Sequence, residues 1–354
     1  MIVNQWTQAA HRGDAIGDHS RAFRDLVRSL GHESEIYSLT IDEGLEHEIR
    51  PWHDPKARQG DVTILHFVMP SVMSGAFKVL PGARVLQYHN ITPAHFFAPF
   101  SPDIAGLTIL ARRELATLAD RTDLALGDSS YNREELDALG FRHTGVMPIL
   151  VDTDRLTDAE PVESIARVLD DDLVNILFVG RIAPNKKIED HIKLAELFKR
   201  YVDTEYRFIF VGKDDAVPRY GAAVRGLVRE LRMPPERFLF TGAVPTDELA
   251  TYYRHAHAYV SLSEHEGFCV PLVESMAMEV PVLAYGCCAV PETLGGAGLC
   301  FSPKDLEQAA ELLCDVIYDE GLRSAVLAGQ RRRLEDFSYD RFVPQAQALL
   351  EALA

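Results

Sequence analysis

Two patterns of apolar and polar residues alternate along this chain, and each predicts one kind of element. Short runs rich in β-branched and aromatic residues predict buried strands. Longer stretches with apolar residues at every third or fourth position predict amphipathic helices. The predicted strands are MIVNQW, EIYSL, VTILHFV, ARVLQYH and LALGDSS in the first half, and VNILFVG, YRFIFVG, RFLFTG, AYVSLS and VPVLAYG in the second.

Predicted helices separate these strands. The first carries Ala22, Phe23, Leu26, Val27 and Leu30 on one face, and Gly31 is a typical helix stop. The later ones are LTILARRELATLA, KKIEDHIKLAELFKRYV, GAAVRGLVRELR, TDELATYYRHA, PLVESMAM and a helical tail from about residue 338. Strands that alternate with helices of this length form parallel sheets covered on both faces. The sequence therefore predicts an α/β fold.

The alternation breaks once, near GVMPILVDTDRL, and then restarts. A chain of 354 residues is long enough for two domains. We therefore predict two Rossmann-like, doubly wound domains, covering residues 1–150 and 151–337. Ligands of such sheets bind at the carboxyl ends of the strands. The loops after VNILFVG, YRFIFVG, RFLFTG and AYVSLS should thus converge on one crevice.

Composition narrows the choice of partners and compartment. The formal net charge is −17, and such an acidic chain repels nucleic acid. The cysteines form no metal-binding or disulfide pattern, and we expect reduced thiols; they are Cys269, Cys287, Cys288, Cys300 and Cys314. No apolar stretch is long enough to span a bilayer, and the N-terminus lacks the features of a leader. We expect a cytoplasmic protein. Peripheral membrane association and oligomeric state stay open.

The stretch GRIAPNKK, residues 180–187, is a candidate diphosphate site. Gly180 permits a tight turn, Arg181 and Lys186 bring positive charge, and a helix starts just afterwards. A helix N-terminus with nearby cations suits a phosphate group. The alternative is that both cations are ordinary surface residues. Neither a Walker A loop nor a GxGxxG motif is present here, so dinucleotide binding has little support.

Two carboxylates stand out in SEHEGFCVPLVESMAM, residues 263–278. Glu266 follows the strand AYVSLS, and Glu274 lies in an otherwise apolar helix. Glu274 could be a helix-start residue stabilised by the helix dipole. The alternative is that both carboxylates accept hydrogen bonds from the hydroxyl groups of a sugar and a ribose.

These motifs, taken together, resemble the retaining glycosyltransferases of family 4. The resemblance rests on the E-x7-E spacing from Glu266 to Glu274, with Gly267 and Phe268 behind the first glutamate, and on FVGRIAPNKKIED, EVPVLAYG and VPETLGGAG. In the first half, GDAIGDHSRAFRDLVRSLGHESEIYS, YHNITPAHFF and LGDSSYNREEL resemble a bacterial branch of that family. The similarity covers nearly the whole chain, in order.

The resemblance implies the GT-B fold, with two Rossmann-like domains facing across a cleft. The first domain would bind the acceptor, and a C-terminal helix, about residues 338–354, would return to it. The second domain would bind the donor, a nucleotide-diphosphate sugar linked to UDP or GDP. The acceptor would be a saccharide or a lipid-linked saccharide, as in polysaccharide biosynthesis.

The resemblance also assigns roles to residues. Arg181 and Lys186 would hold the diphosphate, Glu266 the hydroxyls of the transferred sugar and Glu274 those of the ribose. The other donor-side residues would be Gly17 in the first loop, Gly180, Val244 near the base, Gly267 and Phe268. The implied catalytic set is Glu266, His89, Lys186 and Arg181, and the weaker acceptor-side candidates are Asn90 and Asp128.

The implied reaction is a metal-independent transfer without a cofactor, in which cations on the diphosphate stabilise the leaving group. The family often has glycine where this chain has Cys269, which puts the identity of the donor sugar in doubt. Three other readings stay open. They are a glycoside hydrolase with paired carboxylates, a nucleotide-sugar 2-epimerase of the same fold, and a nucleotide-sugar-binding protein without activity.

Overall fold

The computed structural model describes residues 1–11 and 13–353, and the chain forms two compact units. The first unit comprises Met1–Ala94, Asp103–Asp152 and the segment from Phe337 onward. The second comprises His95–Pro102 and Thr153–Asp336. The predicted boundary at 150/151 therefore lies two residues early, and the predicted first domain includes a short segment, 95–102, that belongs to the second unit.

Aromatic contacts explain why the segment 95–102 belongs to the second unit. The Phe100 ring lies edge-on to Tyr220, with 5.1 Å between centroids, and the Phe96 ring lies 6.2 Å from His265. Such ring pairs stabilise the fold by more than the apolar area that they bury would by itself. Sequence periodicity did not reveal this, because the segment is too short to show a repeat.

The first unit is built on a parallel sheet. Its strands are β1 (Ile2–Ala10), β2 (Glu33–Ile41), β3 (Arg50–Pro51), β4 (Val62–Phe67), β5 (Ala83–Tyr88), β6 (Leu124–Gly127) and β7 (Thr144–Val146). Their order across the sheet is β3-β2-β1-β4-β5-β6-β7. Every residue of β4 is buried, as expected for a central strand covered on both faces.

Helices cover the two faces of this sheet. They are α1 (Ala15–Ser29), α2 (Val72–Phe77), α3 (Ala94–Phe97), α4 (Pro102–Ala116) and α5 (Ser130–Ala138), with α3 running into the segment 95–102. Neighbouring strand residues point to opposite faces. Ile64 accordingly packs with Phe23 of α1, whereas Leu65 belongs to the cluster that contains Phe77 of α2.

The second unit repeats this architecture. Its strands are β8 (Val174–Val179), β9 (Tyr206–Val211), β10 (Phe238–Gly242), β11 (Ala258–Ser261), β12 (Val282–Tyr285) and β13 (Leu299–Phe301), in the order β10-β9-β8-β11-β12-β13. Its helices are α6 (Asp154–Thr157), α7 (Glu163–Leu169), α8 (Ile188–Tyr201), α9 (Pro218–Glu230), α10 (Thr246–Arg254), α11 (Val270–Ala277), α12 (Val290–Leu294), α13 (Leu306–Tyr318) and α14 (Glu320–Leu334).

The last helix, α15 (Tyr339–Leu353), lies in the first unit. Phe342, Ala346 and Leu350 are buried in the same cluster as Val3 and Phe23. These apolar residues recur at four-residue spacing, which puts them on one face of the helix. Ala354, which ends the predicted helical range, lies outside the described residues.

Both sheets reverse strand order at one point, and this point predicts where ligands bind. In the first unit the reversal falls between β1 and β4, which pair in parallel. In the second unit it falls between β8 and β11. The loops that leave the carboxyl ends of β8 and β11 are those that carry Lys186 and Glu266.

Candidate functional site

Three loops of the second unit meet through their backbones. The Gly180 N–H donates to the Val211 carbonyl at 2.9 Å, and the Gly212 N–H donates to the Gly242 carbonyl at 2.9 Å. Gly212 has φ +145°, and a Cβ there would lie 2.2 Å from the Gly180 oxygen. Only glycine permits so close an approach. The loops after β8, β9 and β10 therefore converge.

The loop after β8 also joins the loop after β11. The Lys186 ammonium donates to both Glu266 carboxylate oxygens at 2.7 Å. The Asn185 amide donates to the His265 carbonyl at 3.1 Å, and the Glu264 N–H donates to the Asn185 carbonyl at 2.8 Å. Two predicted site residues, 80 positions apart, are thus in direct contact. A short 3-10 turn, Pro184–Lys186, precedes α8, which begins at Ile188.

Glu274 lies in α11 and is buried. Arg155 donates to its Oε1 at 2.5 Å, and the Tyr253 hydroxyl donates to its Oε2 at 2.9 Å. Burial raises the pKa of Tyr253 well above its ordinary value, and the Glu274 charge raises it further. Sequence reasoning missed Arg155, because nothing in its local pattern points to a partner 119 positions away.

The charges of both glutamates act on one buried phenol, that of Tyr259. Burial is the largest cause that raises the pKa of Tyr259 well above its ordinary value, and Cys269, Glu266 and Glu274 add to it. Tyr259 also hydrogen-bonds the Cys269 thiol. Both carboxylates therefore act on one buried side chain. Tyr259 was not among the predicted site residues, since it looks like any core residue of a strand.

Cys269 occupies a backbone conformation that favours glycine. Its φ is +75°, in the left-handed region, at the start of α11. Glycine adopts this conformation without strain, whereas a residue with a Cβ rarely does. The Cys269 side chain is buried in the apolar core of the second unit. Burial raises the pKa of this thiol, and the Glu266 charge adds to that effect.

The remaining predicted residues of the second unit differ in exposure. Arg181 is exposed, and Gly180 and Gly267 are half-buried. Val244 is half-buried against the core, in the loop after β10. Phe268 is buried, and its carbonyl accepts a hydrogen bond from Thr293 Oγ1 at 2.6 Å.

A further lysine, Lys304, holds the loop after β11 in place. Lys304 Nζ contacts Asp190 Oδ2 at 2.6 Å, Glu264 Oε1 at 3.0 Å and the Leu262 carbonyl at 2.8 Å. These contacts tie the loop that carries Glu266 to the first turn of α8. Sequence reasoning did not single out Lys304, which stands in an unremarkable polar stretch after β13.

In the first unit, the structure brings His89 and Asp128 together at 2.9 Å. His66 lies 2.8 Å from the other ring nitrogen of His89, and its own second nitrogen lies 2.9 Å from Gln5 Oε1. The Gln5 amide nitrogen donates to the Ser20 carbonyl at 3.0 Å, which fixes Oε1 as the atom facing His66. Sequence reasoning found two members of this cluster and missed His66 and Gln5.

Counting hydrogens shows what this cluster contains. Gln5 Oε1 can only accept, so the facing nitrogen of His66 must carry a hydrogen. The contacts of His66 with His89 and of His89 with Asp128 need one hydrogen each. The hydrogen positions of His66 and His89 are therefore coupled along the chain of contacts that runs from Gln5 to Asp128.

His19 packs beside this cluster, with its ring centroid 5.8 Å from that of His66. Its Nδ1 accepts a hydrogen bond from the Leu150 N–H at 3.0 Å, so that nitrogen is unprotonated. Burial, and secondly the charge of His89, lowers the pKa of His19 to about 3. Burial also lowers the pKa of His66 well below its ordinary value.

Two more predicted residues lie in the first unit. Gly17 is not in a loop, as predicted, but inside α1, because Asp14 caps the helix and starts it at Ala15. Asn90 follows β5 with φ +72°. Its amide oxygen and nitrogen are buried, and neither has a hydrogen-bond partner within the described parts of the chain.

Residues 163–333 match the family described as "Glycosyl transferases group 1". O-antigen chain mannosyltransferase B of Escherichia coli is 27% identical over 48% of this chain and 43% of its own length. A GDP-mannose-dependent alpha-mannosyltransferase of Mycobacterium tuberculosis is 28% identical over 63% of this chain and 55% of its own. The matched part of the chain thus spans about half the length of these relatives.

HepE of Anabaena, solved in complex with UDP-glucose, superposes with a TM-score of 0.77. It is 17% identical, with all of both chains covered. This likeness and the two parallel-sheet units confirm the predicted GT-B fold. No helix among residues 1–11 and 13–353 is long and apolar enough to cross a membrane. The match over residues 163–333 supports the predicted enzyme class, a glycosyltransferase, for that part of the chain.

Proposed function

We propose that this chain is a retaining, metal-independent glycosyltransferase that moves a sugar from a nucleotide-diphosphate sugar to a hydroxyl of a saccharide or lipid-linked saccharide. The observation that carries the proposal is the contact of Lys186 with Glu266 at the point where the second sheet reverses strand order. A cation and a carboxylate held together there can bind a phosphate and a sugar hydroxyl, respectively, at neighbouring positions. The match of residues 163–333 supports the same reading.

The diphosphate is assigned to Lys186 and Arg181. The Lys186 ammonium has three hydrogens and gives two contacts to Glu266, so it has a third hydrogen to donate. Arg181 is exposed beside the Gly180 turn and can reach a phosphate without breaking an internal contact. Positive charge on the diphosphate stabilises the nucleotide as it leaves. This is the work that a metal ion does in other transferases.

The sugar and the ribose are assigned to the two carboxylates. Glu266 accepts hydrogen bonds from hydroxyls of the transferred sugar, and Glu274 from those of the ribose. Charge-assisted hydrogen bonds of this kind are stronger than those between neutral groups. Gly267 and Phe268 shape the sugar side of the site, and Val244 contacts the base.

Retention follows if the acceptor attacks from the face that the nucleotide leaves. The bond from the sugar to the phosphate oxygen breaks, the bond to the acceptor oxygen forms, and the acceptor's proton passes to the leaving phosphate. We assign no protein nucleophile to this step. In the first unit, Gly17 remains a proposed donor-side residue, His89 a proposed catalytic residue and Asp128 a proposed acceptor-side residue.

Asn90 is the acceptor-side residue with the most direct support. A buried amide without partners is unfavourable by about 1–3 kcal/mol for each lost hydrogen bond. A hydroxyl-bearing ligand could pair with its oxygen and nitrogen and remove that penalty. A saccharide acceptor presents such hydroxyls.

We favour GDP-mannose as the donor. The supporting observation is that the Mycobacterium relative is named GDP-mannose-dependent and that the Escherichia coli relative is a mannosyltransferase. UDP-glucose, the ligand of HepE, is the second candidate.

Calorimetric titration without divalent metal tests these assignments. We expect GDP to bind more tightly than UDP or ADP, and Lys186→Ala to weaken GDP binding about 10- to 100-fold while guanosine binding stays the same. Lys193→Ala is the matched control, because Lys193 lies on α8, is exposed and pairs with Asp190. Unchanged GDP affinity in Lys186→Ala would show the phosphate assignment to be wrong.

Turnover with acceptor saccharides then tests the reaction. Transfer of mannose from GDP-mannose to a mannoside, with the α-configuration kept, is the expected result. Conversion of the nucleotide sugar without any acceptor would favour the 2-epimerase instead. Binding without turnover under any acceptor would favour a binding protein.

A further inference from the structure

Among the described residues, Arg155 is the arginine that forms an ion pair with Glu274. Its Nη2 lies 2.5 Å from Glu274 Oε1, on the oxygen opposite the one that Tyr253 contacts. The Glu274 side chain is 4% exposed, whereas that of Arg155 is 26% exposed. The pair therefore reaches from the interior of the second unit to its surface.

The short helix that carries Arg155 is anchored on both sides. Leu156 is fully buried in the core of the second unit. Arg254, the last residue of α10, donates to the Leu156 carbonyl at 3.3 Å and to the Thr157 carbonyl at 2.9 Å. These contacts hold the backbone of α6, so Arg155 approaches Glu274 from a fixed direction.

We propose that Arg155 is a positioning residue that orients the Glu274 carboxylate for the ribose hydroxyls of the donor and so gives the site its preference for ribonucleotides. The inference rests on the proposed function, in which Glu274 binds the ribose. Arg155 acts through Glu274 and needs no contact of its own with the nucleotide.

Two physical reasons support this role. A buried carboxylate is unfavourable unless a cation and hydrogen bonds compensate it. The guanidinium is planar, and its N–H groups have fixed directions, so it sets the rotation of the carboxylate as well as its charge. A carboxylate oxygen accepts more than one hydrogen bond, so the contacts with Arg155 and Tyr253 are compatible with a ribose hydroxyl.

The test compares nucleotides with and without ribose hydroxyls. Calorimetry gives the dissociation constants of GDP and 2′,3′-dideoxy-GDP, and of the corresponding UDP pair, for the wild type and for Arg155→Met. We expect the wild type to prefer the ribonucleotide by about 10-fold or more, since a hydrogen bond to a charged group contributes about 1.5–3 kcal/mol. Arg155→Met should lose most of this preference and keep its affinity for the dideoxy nucleotide.

Three variants sharpen the result. Arg167→Met is the matched control, because Arg167 belongs to the same unit and forms an exposed ion pair with Glu163; its preference should equal that of the wild type. Arg155→Lys keeps the charge without the planar geometry, so an intermediate preference is expected, and it also serves if Arg155→Met fails to fold. In Glu274→Gln, adding Arg155→Met should change the preference no further.

The outcomes separate this inference from the proposed function. If the wild type prefers the ribonucleotide and Arg155→Met and Arg155→Lys keep the full preference, the positioning role of Arg155 is wrong and the ribose role of Glu274 stands. If the wild type binds both nucleotides equally, the ribose role of Glu274 is wrong, and the inference falls with it. If the wild type binds neither, the donor site itself is misassigned.

Discussion

Each unit of this chain contains a polar cluster near the carboxyl ends of its strands, and these two clusters are built differently. In the first unit the side chains of His89 and Asp128 are 1% and 2% exposed, so both partners are buried. In the second unit the side chain of Glu266 is 7% exposed, but that of its partner Lys186 is 20% exposed. Arg155 and Glu274 repeat this arrangement.

The difference shows what each cluster can do. A charge inside a protein must be paired, and breaking the pair is costly. In the first unit both members are buried, so the cluster is closed to solvent. In the second unit each cation reaches the surface while holding a buried carboxylate. A phosphate or a hydroxyl from solvent can therefore join that cluster without the protein opening.

The largest expected effect is the loss of the closed cluster. Asp128→Ala removes the buried carboxylate that His89 contacts and one of the two acceptors of the Gln87 amide. We expect the free energy of unfolding of the first unit to fall by about 4 kcal/mol. Urea unfolding followed by hydrogen-exchange mass spectrometry of β4, β5 and β6 would measure it.

Asp123→Ala is the control for that variant. Asp123 also lies next to β6, but its side chain is exposed and pairs with Arg84 at the surface. Exposed ion pairs contribute about 1 kcal/mol or less. If Asp128→Ala and Asp123→Ala lowered the free energy of unfolding equally, the view that the first cluster is closed to solvent would be contradicted.

A smaller effect is expected in the second unit. Lys186→Met leaves the buried Glu266 carboxylate without its cation, but water can reach the position that the ammonium occupied. We expect a loss of about 2 kcal/mol in the unfolding free energy of the second unit. The double variant Lys186→Met with Glu266→Gln should recover most of it, because no unpaired charge remains. A single variant as stable as the wild type would mean that the pair is not held as described.

The last expected difference between the two units is in pH dependence. His19 accepts a hydrogen bond from the Leu150 N–H, and His257 of the second unit accepts one from the Asn175 N–H at 3.0 Å. Burial lowers both pKa values, that of His19 to about 3, from an ordinary 6.5. As the pH falls, these histidines therefore bind protons in the unfolded chain before they do so in the folded protein. The stabilisation that their neutral forms provide is complete above pH 6.5 and decreases as the pH falls.

Below the pKa that a histidine has in the unfolded chain, each histidine that stays neutral in the fold lowers the free energy of unfolding by about 1.4 kcal/mol for each pH unit. Because His19 is buried and His257 lies at the surface, His19→Gln should flatten the pH dependence of the first unit between pH 6.5 and 5. His257→Gln should change that of the second unit less. Urea unfolding at several pH values measures both slopes, and equal changes would contradict the contrast in burial.

Most of the fold could be predicted from the sequence, because long buried strands and amphipathic helices have distinct periods. The exceptions are instructive. The strands β3, β7 and β13 have two or three residues, which is too few to show an alternation. The resemblance placed Gly17 in the first loop, whereas the capping contact of Asp14 starts the helix at Ala15 and so puts Gly17 inside it.

The candidate site was predicted in part. The spacing of Glu266 and Glu274 and the cations near Gly180 are local in sequence, so they could be recognised. Arg155 and Lys304 could not, because their partners lie far away along the chain. Tyr259 could not, because it looks like any core residue of a strand. Which cation meets which carboxylate depends on how loops from different strands approach each other.

The sequence already determined the order of strands and helices, the excess of acidic residues and the kinds of side chain at the strand ends. They depend on local periodicity and on the placement of glycine and proline, which act over a few residues. The tertiary structure decided the pairings: Lys186 with Glu266, Arg155 with Glu274, and His89 with both Asp128 and His66. Such contacts need burial and a fixed approach of distant segments, which only the packed chain provides.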